Sequence, residues 1–201
     1  MTFEQIKEKL KGKCVGIAGC GGLGSNAAVA LARIGTGRLI IADFDKVEES
    51  NLNRQYFFFS QIGMFKAAAL KENIEKINPH IIIEPHIIKL GPEDIVKLFG
   101  DCDVIIEAFD KAEMKQMIIE TALTNFPAKP IVCGSGMAGW GMNDKIKVEK
   151  SDNLYIVGDG ETEATPETPV LAPRVCTVAN MMANVALELL IGEMRQHENN
   201  A

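Results

Sequence analysis

The segment Cys14-Val15-Gly16-Ile17-Ala18-Gly19-Cys20-Gly21-Gly22-Leu23-Gly24 dictates the architecture of this chain. Residues 14–18 form an apolar run that is typical of a buried parallel strand, and residues 25–34 are rich in Ala and Leu and predict a helix. Between them the spacing G-x-G-x-x-G is met by Gly19, Gly21 and Gly24. Such glycines permit a tight turn and let the backbone approach a phosphate, and the helix directs free N–H groups at the anion. The segment therefore predicts a nucleotide-binding turn.

Strands and helices alternate on both sides of this turn. Apolar runs predict further strands at residues 38–43, 81–84, 104–108 and 130–134. Apolar periodicity predicts helices at residues 2–11, 64–77, 92–99 and 112–124. The alternation indicates an α/β fold, with a doubly wound, mostly parallel sheet of the Rossmann type.

The pattern changes after Trp140. Residues 145–149 and 154–157 alternate like an antiparallel hairpin, and residues 174–190 predict a final helix. Between them, residues 158–169 are acidic, rich in Thr and Pro and without periodicity, which predicts a mobile crossover loop. The tail 196–201 is predicted to fray. A length of 201 residues fits one domain, and residues 1–201 are treated as such.

Composition excludes several classes of protein. The formal net charge of −6 argues against a nucleic-acid partner. The five cysteines contain no C-x-x-C pair, so we expect a reduced protein with neither a disulfide framework nor zinc. Residues 1–13 lack the apolar core of a signal peptide, and no apolar run approaches the length of a membrane span. We therefore expect a cytoplasmic protein with no membrane partner.

The second predicted strand ends in an acid. Asp43 lies 19 residues beyond Gly24, where a carboxylate accepts hydrogen bonds from ribose hydroxyls. NAD and ATP are equally compatible with these features. The long polar loop that follows, residues 44–59, brings Asn51, Arg54 and Gln55 past the nucleotide edge.

Charged residues then favour ATP. Arg54 can grip phosphate oxygens bidentately, and Lys66 adds a second positive charge near the start of the next helix. Asp110 closes the fourth strand at its carboxyl end, where ligands bind in such sheets. Beside a triphosphate its natural role is to hold Mg²⁺, although it could also cap the following helix. Two cations and one Mg²⁺ suit a polyphosphate better than a dinucleotide.

Together these motifs resemble the ThiF/MoeB family, the bacterial relatives of ubiquitin-activating enzymes. The resemblance covers most of the chain and is carried by residues 19–25, by Ala42-Asp43, by Ser50-Asn51-Leu52-Asn53-Arg54-Gln55, by Lys66, by Ile77-Asn78-Pro79 and by Asp110. At Ala172-Pro173-Arg174-Val175 the chain is similar to the short, zinc-free ThiF-like branch.

The resemblance implies an ATP-dependent adenylyltransferase. Its substrate would be the C-terminal Gly-Gly carboxylate of a ubiquitin-like, ThiS-like sulfur carrier protein in thiamine thiazole biosynthesis, and the enzyme would be a homodimer. The implied catalytic residues are Arg54, Lys66 and Asp110, the last binding Mg²⁺. The implied nucleotide contacts are Gly19, Gly21, Gly22, Gly24, Asp43 (to the ribose), Asn51, Arg54, Gln55 and Lys66.

The chain departs from the family pattern in several places. The zinc-binding Cys-x-x-Cys pairs of many members are absent, and residues 1–13 hold lysines where some members supply an arginine from the partner subunit. Lys111 stands where Asn is usual. Cys176 does not match the position at which some relatives link covalently to the carrier, and we interpret it as a small buried residue.

Three alternatives stay open. The chain could be a non-catalytic nucleotide- or carrier-binding homologue, or it could serve another sulfur carrier, such as that of molybdopterin. An NAD-dependent oxidoreductase has the same glycine turn, but the sequence offers no catalytic set for it.

Overall fold

A computed structural model of the chain describes residues 1–192. Its strands are β1 (Cys14–Ala18), β2 (Arg38–Ala42), β3 (Ile82–His86), β4 (Val104–Glu107), β5 (Ile131–Gly134), β6 (Lys147–Ser151) and β7 (Leu154–Gly158). Its helices are α1 (Phe3–Leu10), α2 (Gly22–Arg33), α3 (Lys66–Ile77), α4 (Pro92–Phe99), α5 (Ala112–Asn125) and α6 (Ala172–Ile191). The predicted tail 196–201 lies outside the described residues.

The strands form one seven-stranded sheet in the order β3-β2-β1-β4-β5-β7-β6. All neighbouring strands are parallel except β6 and β7, which form an antiparallel pair at one edge. This confirms the predicted Rossmann-like fold with an antiparallel extension. The chain runs outward from β1 in both directions, so a crevice opens between the loops that follow β1 and β4.

Helices cover both faces of the sheet. One core cluster joins α2, α3 and α6 to the sheet, and a second joins α4 and α5 to its other face. The central strands β1, β4 and β5 are buried along their whole length. Continuous apolar runs are therefore their natural sequence, because neither face meets water.

Most boundaries differ from the sequence prediction by one to three residues, and three of these differences have a clear structural cause. Helix α2 begins at Gly22 rather than at residue 25, because the glycine turn is itself the first helical turn. Helix α3 begins at Lys66 rather than at residue 64, because Phe65 still pairs with Lys46 in an isolated β-bridge. Strand β3 continues through Pro85 to His86, which an edge strand tolerates.

Helix α6 corrects one expectation. The sequence predicts no apolar run of membrane-spanning length, whereas α6 is long and apolar enough to cross a membrane by length and composition alone. Half of its most apolar window is buried inside the protein, and the helix packs along α2. A core helix passes the same test, so this property is weak evidence for a membrane span.

Helix α1 lies at the end of the sheet where β1 and β2 begin, opposite the end that carries the glycine turn. Its buried Leu10 accepts a hydrogen bond at its carbonyl from Gly37 N (2.9 Å), just before β2 begins. Lys13 O likewise accepts from Arg38 N (3.0 Å). The lysines of the first 13 residues are therefore remote from the crevice of the same chain.

Candidate functional site

A cavity of about 930 Å³ opens at the carboxyl ends of the strands. Its volume lies in the range of small-molecule sites. Eight of the residues predicted from sequence line it: Gly19, Gly21, Gly22, Asp43, Arg54, Gln55, Lys66 and Asp110. A smaller cavity of about 370 Å³ beside Cys102 and Lys129 holds none of them.

The glycine turn is shaped by close backbone approach. Gly19 has a φ of +94°, and a Cβ there would lie 2.8 Å from Ala108 O. A Cβ on Gly24 would lie 1.8 Å from Gly19 O, so Gly24 serves the packing of α2 on the turn and does not line the cavity. Gly21, the N-cap of α2, offers no side chain to the first-turn amides. Those amides can therefore receive an anion.

Asp43 ties the end of β2 to this turn. Its Oδ2 accepts a hydrogen bond from Cys20 N (2.7 Å) and its Oδ1 accepts one from Asp45 N (2.8 Å). Burial raises the pKa of the Asp43 carboxyl, and these two amide donors oppose that shift. Each carboxylate oxygen keeps a second lone pair, so Asp43 can still accept from ribose hydroxyls.

Lys66 is the first residue of α3 and is only 7% exposed. Its Nζ lies 3.1 Å from Asp45 Oδ2, and both residues line the cavity. A buried ammonium with an exposed carboxylate partner can exchange that partner for a phosphate at little cost, because the carboxylate returns to water.

The loop between β2 and α3 brings Arg54 to the cavity but not Asn51. Arg54 Nη1 donates to Ser50 O (3.0 Å) and to Asn53 Oδ1 (2.7 Å). Asn51 is buried outside the cavity lining, and its Oδ1 accepts from Glu48 N (3.0 Å). Its carbonyl oxygen accepts from the Arg54 and Gln55 amides, so Asn51 shapes the turn that presents both residues.

Gln55 carries an unsatisfied acceptor. The side chain is buried on the cavity wall, and its Oε1 has no hydrogen-bond partner among the described residues. A buried acceptor without a donor costs roughly 1–3 kcal/mol. A ligand donor in the cavity would relieve that cost.

Asp110 follows β4 on the exposed rim of the cavity, next to Lys111. Within residues 1–192 no group of three or more His, Cys, Asp or Glu side chains is placed to hold a metal ion. Magnesium in nucleotide sites takes only one or two protein carboxylates and draws its other ligands from phosphates and water. An exposed carboxylate at the rim fits that donor set.

Sequence reasoning missed a second acid at this edge. Glu107 is fully buried at the end of β4, and its Oε2 pairs with Lys115 Nζ. Lys115 also donates to Gly134 O (3.0 Å) and lines the cavity. Burial raises the pKa of the Glu107 carboxyl, and the Lys115 charge opposes that shift. An acid inside an otherwise apolar strand was the sequence signal for this pair.

The remaining predicted features lie near the cavity or away from it. The start of the crossover segment, residues 160–164, forms part of the cavity wall. Cys176 is half-buried on α6 and is not part of the lining. Burial raises the pKa of its thiol, which favours the unreactive thiol over the thiolate.

Comparison with known proteins assigns the chain to a family. A sequence model described as "ThiF family" matches residues 2–201. The adenylyltransferase and sulfurtransferase UBA4 of Kluyveromyces lactis is 31% identical over 194 residues, which cover 92% of this chain and 43% of UBA4. The probable adenylyltransferase/sulfurtransferase MoeZ of Mycobacterium tuberculosis is 31% identical over 199 residues, covering 92% of this chain and 50% of MoeZ. The chain thus spans half or less of these relatives.

Solved structures confirm the fold. E. coli tRNA N6-threonylcarbamoyladenosine dehydratase, TcdA, in complex with AMP has a TM-score of 0.84 and 22% identity, over 94% of this chain and 90% of TcdA. The same enzyme in complex with ATP matches with the same TM-score and coverage. At this identity the likeness extends to the fold alone.

Proposed function

Because the chain belongs to the ThiF family, we propose that it is an ATP-dependent adenylyltransferase that acts on a ubiquitin-like sulfur carrier protein. One observation carries this proposal: Arg54, Lys66 and Asp110 line the same cavity as the glycine turn. The descriptions of UBA4 as an adenylyltransferase and sulfurtransferase and of MoeZ as a probable one support the reaction class.

The family resemblance implies the reaction, and the charges around the cavity suit it. The terminal Gly-Gly carboxylate of the carrier attacks the α-phosphorus of ATP, an acyl-phosphate bond forms, and the bond to the leaving pyrophosphate breaks. Arg54 and Lys66 stabilise negative charge on the phosphate oxygens, and the first-turn amides of α2 donate to them. Mg²⁺ held by Asp110 would neutralise further phosphate charge. Catalysis of this kind depends on positioning and preorganised electrostatics.

The identity of the carrier is the finer part of the proposal. The string Ala172-Pro173-Arg174-Val175 resembles the short ThiF-like branch, which favours a ThiS-like carrier and a role in thiamine thiazole biosynthesis in the cytoplasm. We further propose a homodimer, as the family resemblance implies. Since α1 lies across the sheet from the cavity of its own chain, its lysines could reach only the cavity of a partner subunit.

ATP–pyrophosphate exchange tests the reaction. The protein is incubated with ATP, Mg²⁺ and either a ThiS-like or a molybdopterin-type Gly-Gly carrier, and exchange is expected with the ThiS-like carrier. Exchange with the molybdopterin-type carrier alone would reassign the pathway. Absence of exchange with every carrier, together with tight NAD binding, would overturn adenylation.

Two variants test the site. Arg54→Ala is expected to lower the exchange rate on the order of 10²–10³-fold, as for other charge-stabilising groups. Asp110→Ala is expected to lower the exchange rate and to raise the Mg²⁺ concentration needed for half-maximal exchange, because the ion loses a carboxylate ligand. The matched control is Arg33→Ala, an exposed arginine at the far end of α2. Exchange that survives in Arg54→Ala at the rate of Arg33→Ala would refute the assignment.

A further inference from the structure

A buried ion pair lies beside the cavity and is not part of the nucleotide contacts described above. Arg174, in the first turn of α6, is 4% exposed, and Asp159, directly after β7, is 7% exposed. Arg174 Nη2 pairs with Asp159 Oδ2, and Nη1 donates to Gly141 O. One guanidinium therefore joins two loops that are distant in sequence.

The Asp159 carboxylate also organises the start of the crossover segment. Its Oδ1 accepts from the amides of Glu161 and Thr162, both at 2.8 Å, and its Oδ2 accepts from the Thr162 hydroxyl (2.8 Å). Thr162 Oγ1 in turn accepts from Ala138 N (3.2 Å). Three of these residues, Glu161, Thr162 and Ala138, line the cavity.

The backbone at Asp159 and Gly160 also pairs with the loop after β5. Asp159 N donates to Gly136 O (3.0 Å), and Gly160 N donates to Ser135 O (3.1 Å). Gly136 has a φ of +75°, and a Cβ there would lie 1.9 Å from Asp159 Oδ1. Glycine is therefore needed at position 136 for the carboxylate to sit where it does.

Helix α6 connects this wall to the glycine turn. Val175, the neighbour of Arg174, places its Cγ1 2.9 Å from where a Cβ of Gly22 would lie. The first turn of α6 thus contacts the nucleotide turn through Val175 and the crossover wall through Arg174. These two contacts, on neighbouring residues of one helical turn, link the two sides of the cavity.

We propose that Asp159 and Arg174 are positioning residues, which hold residues 135–138 and 160–164 against the glycine turn and so form the channel for the C-terminal tail of the protein substrate. The nature of the occupant rests on the proposed function, whereas the arrangement of the two loops does not. Removing one partner leaves the other charge buried and unpaired, so the loops must rearrange to hydrate it.

Kinetics with the ThiS-like Gly-Gly carrier test the positioning role. In Asp159→Asn the KM for the carrier is expected to rise ten-fold or more, while the KM for ATP stays within about two-fold, because Arg54, Lys66 and Asp110 keep their places. The control is Glu167→Gln, an exposed acid further along the same segment, which should leave both constants unchanged. Equal effects of Asp159→Asn on both KM values, or none, would overturn the proposal.

A second measurement needs neither ATP nor carrier. Hydrogen exchange of the Glu161 and Thr162 amides is expected to accelerate at least ten-fold in Asp159→Asn and in Arg174→Lys, with the amides of β1 unchanged. Unchanged exchange at both amides, or uniform acceleration that includes β1, would show that the pair has no local positioning role. If no carrier supports pyrophosphate exchange but these amides accelerate selectively, only the proposed function fails.

Discussion

Single residues of the glycine turn differ in what they contribute. Gly19, Gly21 and Gly22 face the cavity, whereas Gly24 is hidden beneath the turn against Gly19 O. The G-x-G-x-x-G spacing therefore serves two purposes: some of its glycines line the ligand site, and Gly24 is required for packing. The packing requirement applies whether or not a nucleotide is bound.

Gly24→Ala should expose this packing requirement. The added Cβ would lie 1.8 Å from a backbone oxygen, which cannot move aside as a flexible side chain could. We expect the free energy of unfolding to fall by about 1–3 kcal/mol, the usual cost of overpacking. Urea unfolding without nucleotide measures this change. Gly12→Ala is the control, since nothing lies within 4 Å of its Cβ. Equal stabilities of the two variants would contradict the close approach.

The buried Glu107 predicts a pH-dependent variant. Lys115→Met removes the charge that opposes the effect of burial, so the pKa of Glu107 should rise further above its usual range. An acid whose pKa is raised by folding destabilises the folded state most at high pH, and protonation relieves that cost as pH falls. We expect a loss of about 3 kcal/mol at pH 8, the low end for a broken buried pair because the Lys115 side chain is 26% exposed.

Thermal unfolding at pH 5 and pH 8 checks this expectation. The difference between wild type and Lys115→Met should be smaller at pH 5. Lys71→Met breaks an exposed ion pair on α3 and serves as the control, with a change below about 1 kcal/mol at either pH. A loss that does not vary with pH would mean that Glu107 keeps its charge without Lys115.

Among the elements, α6 joins the core to the cavity. Its middle is buried against α2, and its first turn reaches the glycine turn through Val175. Met182→Ala should therefore cost about 2–5 kcal/mol, because Met182 is fully buried in the core. Asn180→Ala, on the exposed side of the same helix, should change stability by less than about 0.5 kcal/mol. Similar costs for both would argue against α6 as a core helix.

Elements with local signals were predictable from sequence. Helix α4 has the predicted bounds, because Pro92 opens it and Gly100 follows its last residue. Strand β1 also has its predicted bounds, since it is a short apolar run between polar and glycine residues. The start of α2 was missed, because a glycine N-cap gives no side-chain signal.

The candidate site was predictable where a motif placed a residue at a strand end or loop. Asp43, Arg54 and Lys66 line the cavity as expected, while Asn51 turns inward to cap a short 3₁₀ turn. The pair Asp159 and Arg174 could not be found in this way, because the crossover segment brings the partners together and no sequence period marks them.

Nucleotide binding should stabilise the folded state of the whole protein, because the ligand binds the folded chain and not the unfolded one. A ligand at 100 times its Kd stabilises the folded state by about 2.7 kcal/mol, which for a domain of this size raises Tm by roughly 5–11 °C. We expect this shift with ATP and Mg²⁺ but not with NAD, in a thermal melt of the wild-type chain. Arg54→Ala should show a smaller shift, and Arg33→Ala the full one. An equal shift with NAD would remove the preference for a polyphosphate.

The two outer strands of the sheet bear on how the molecule behaves in crowded solution. Pro85 removes a backbone donor from β3, and β6 presents Lys147, Glu149 and Lys150 along the opposite edge. Both devices discourage the open edges from recruiting a strand of another molecule. We expect Pro85→Val to raise light scattering at high concentration, and a variant as clear as wild type would show that β3 needs no such guard. If light scattering does rise, the proline that interrupts β3 protects the protein against aggregation, a role that is independent of the cavity.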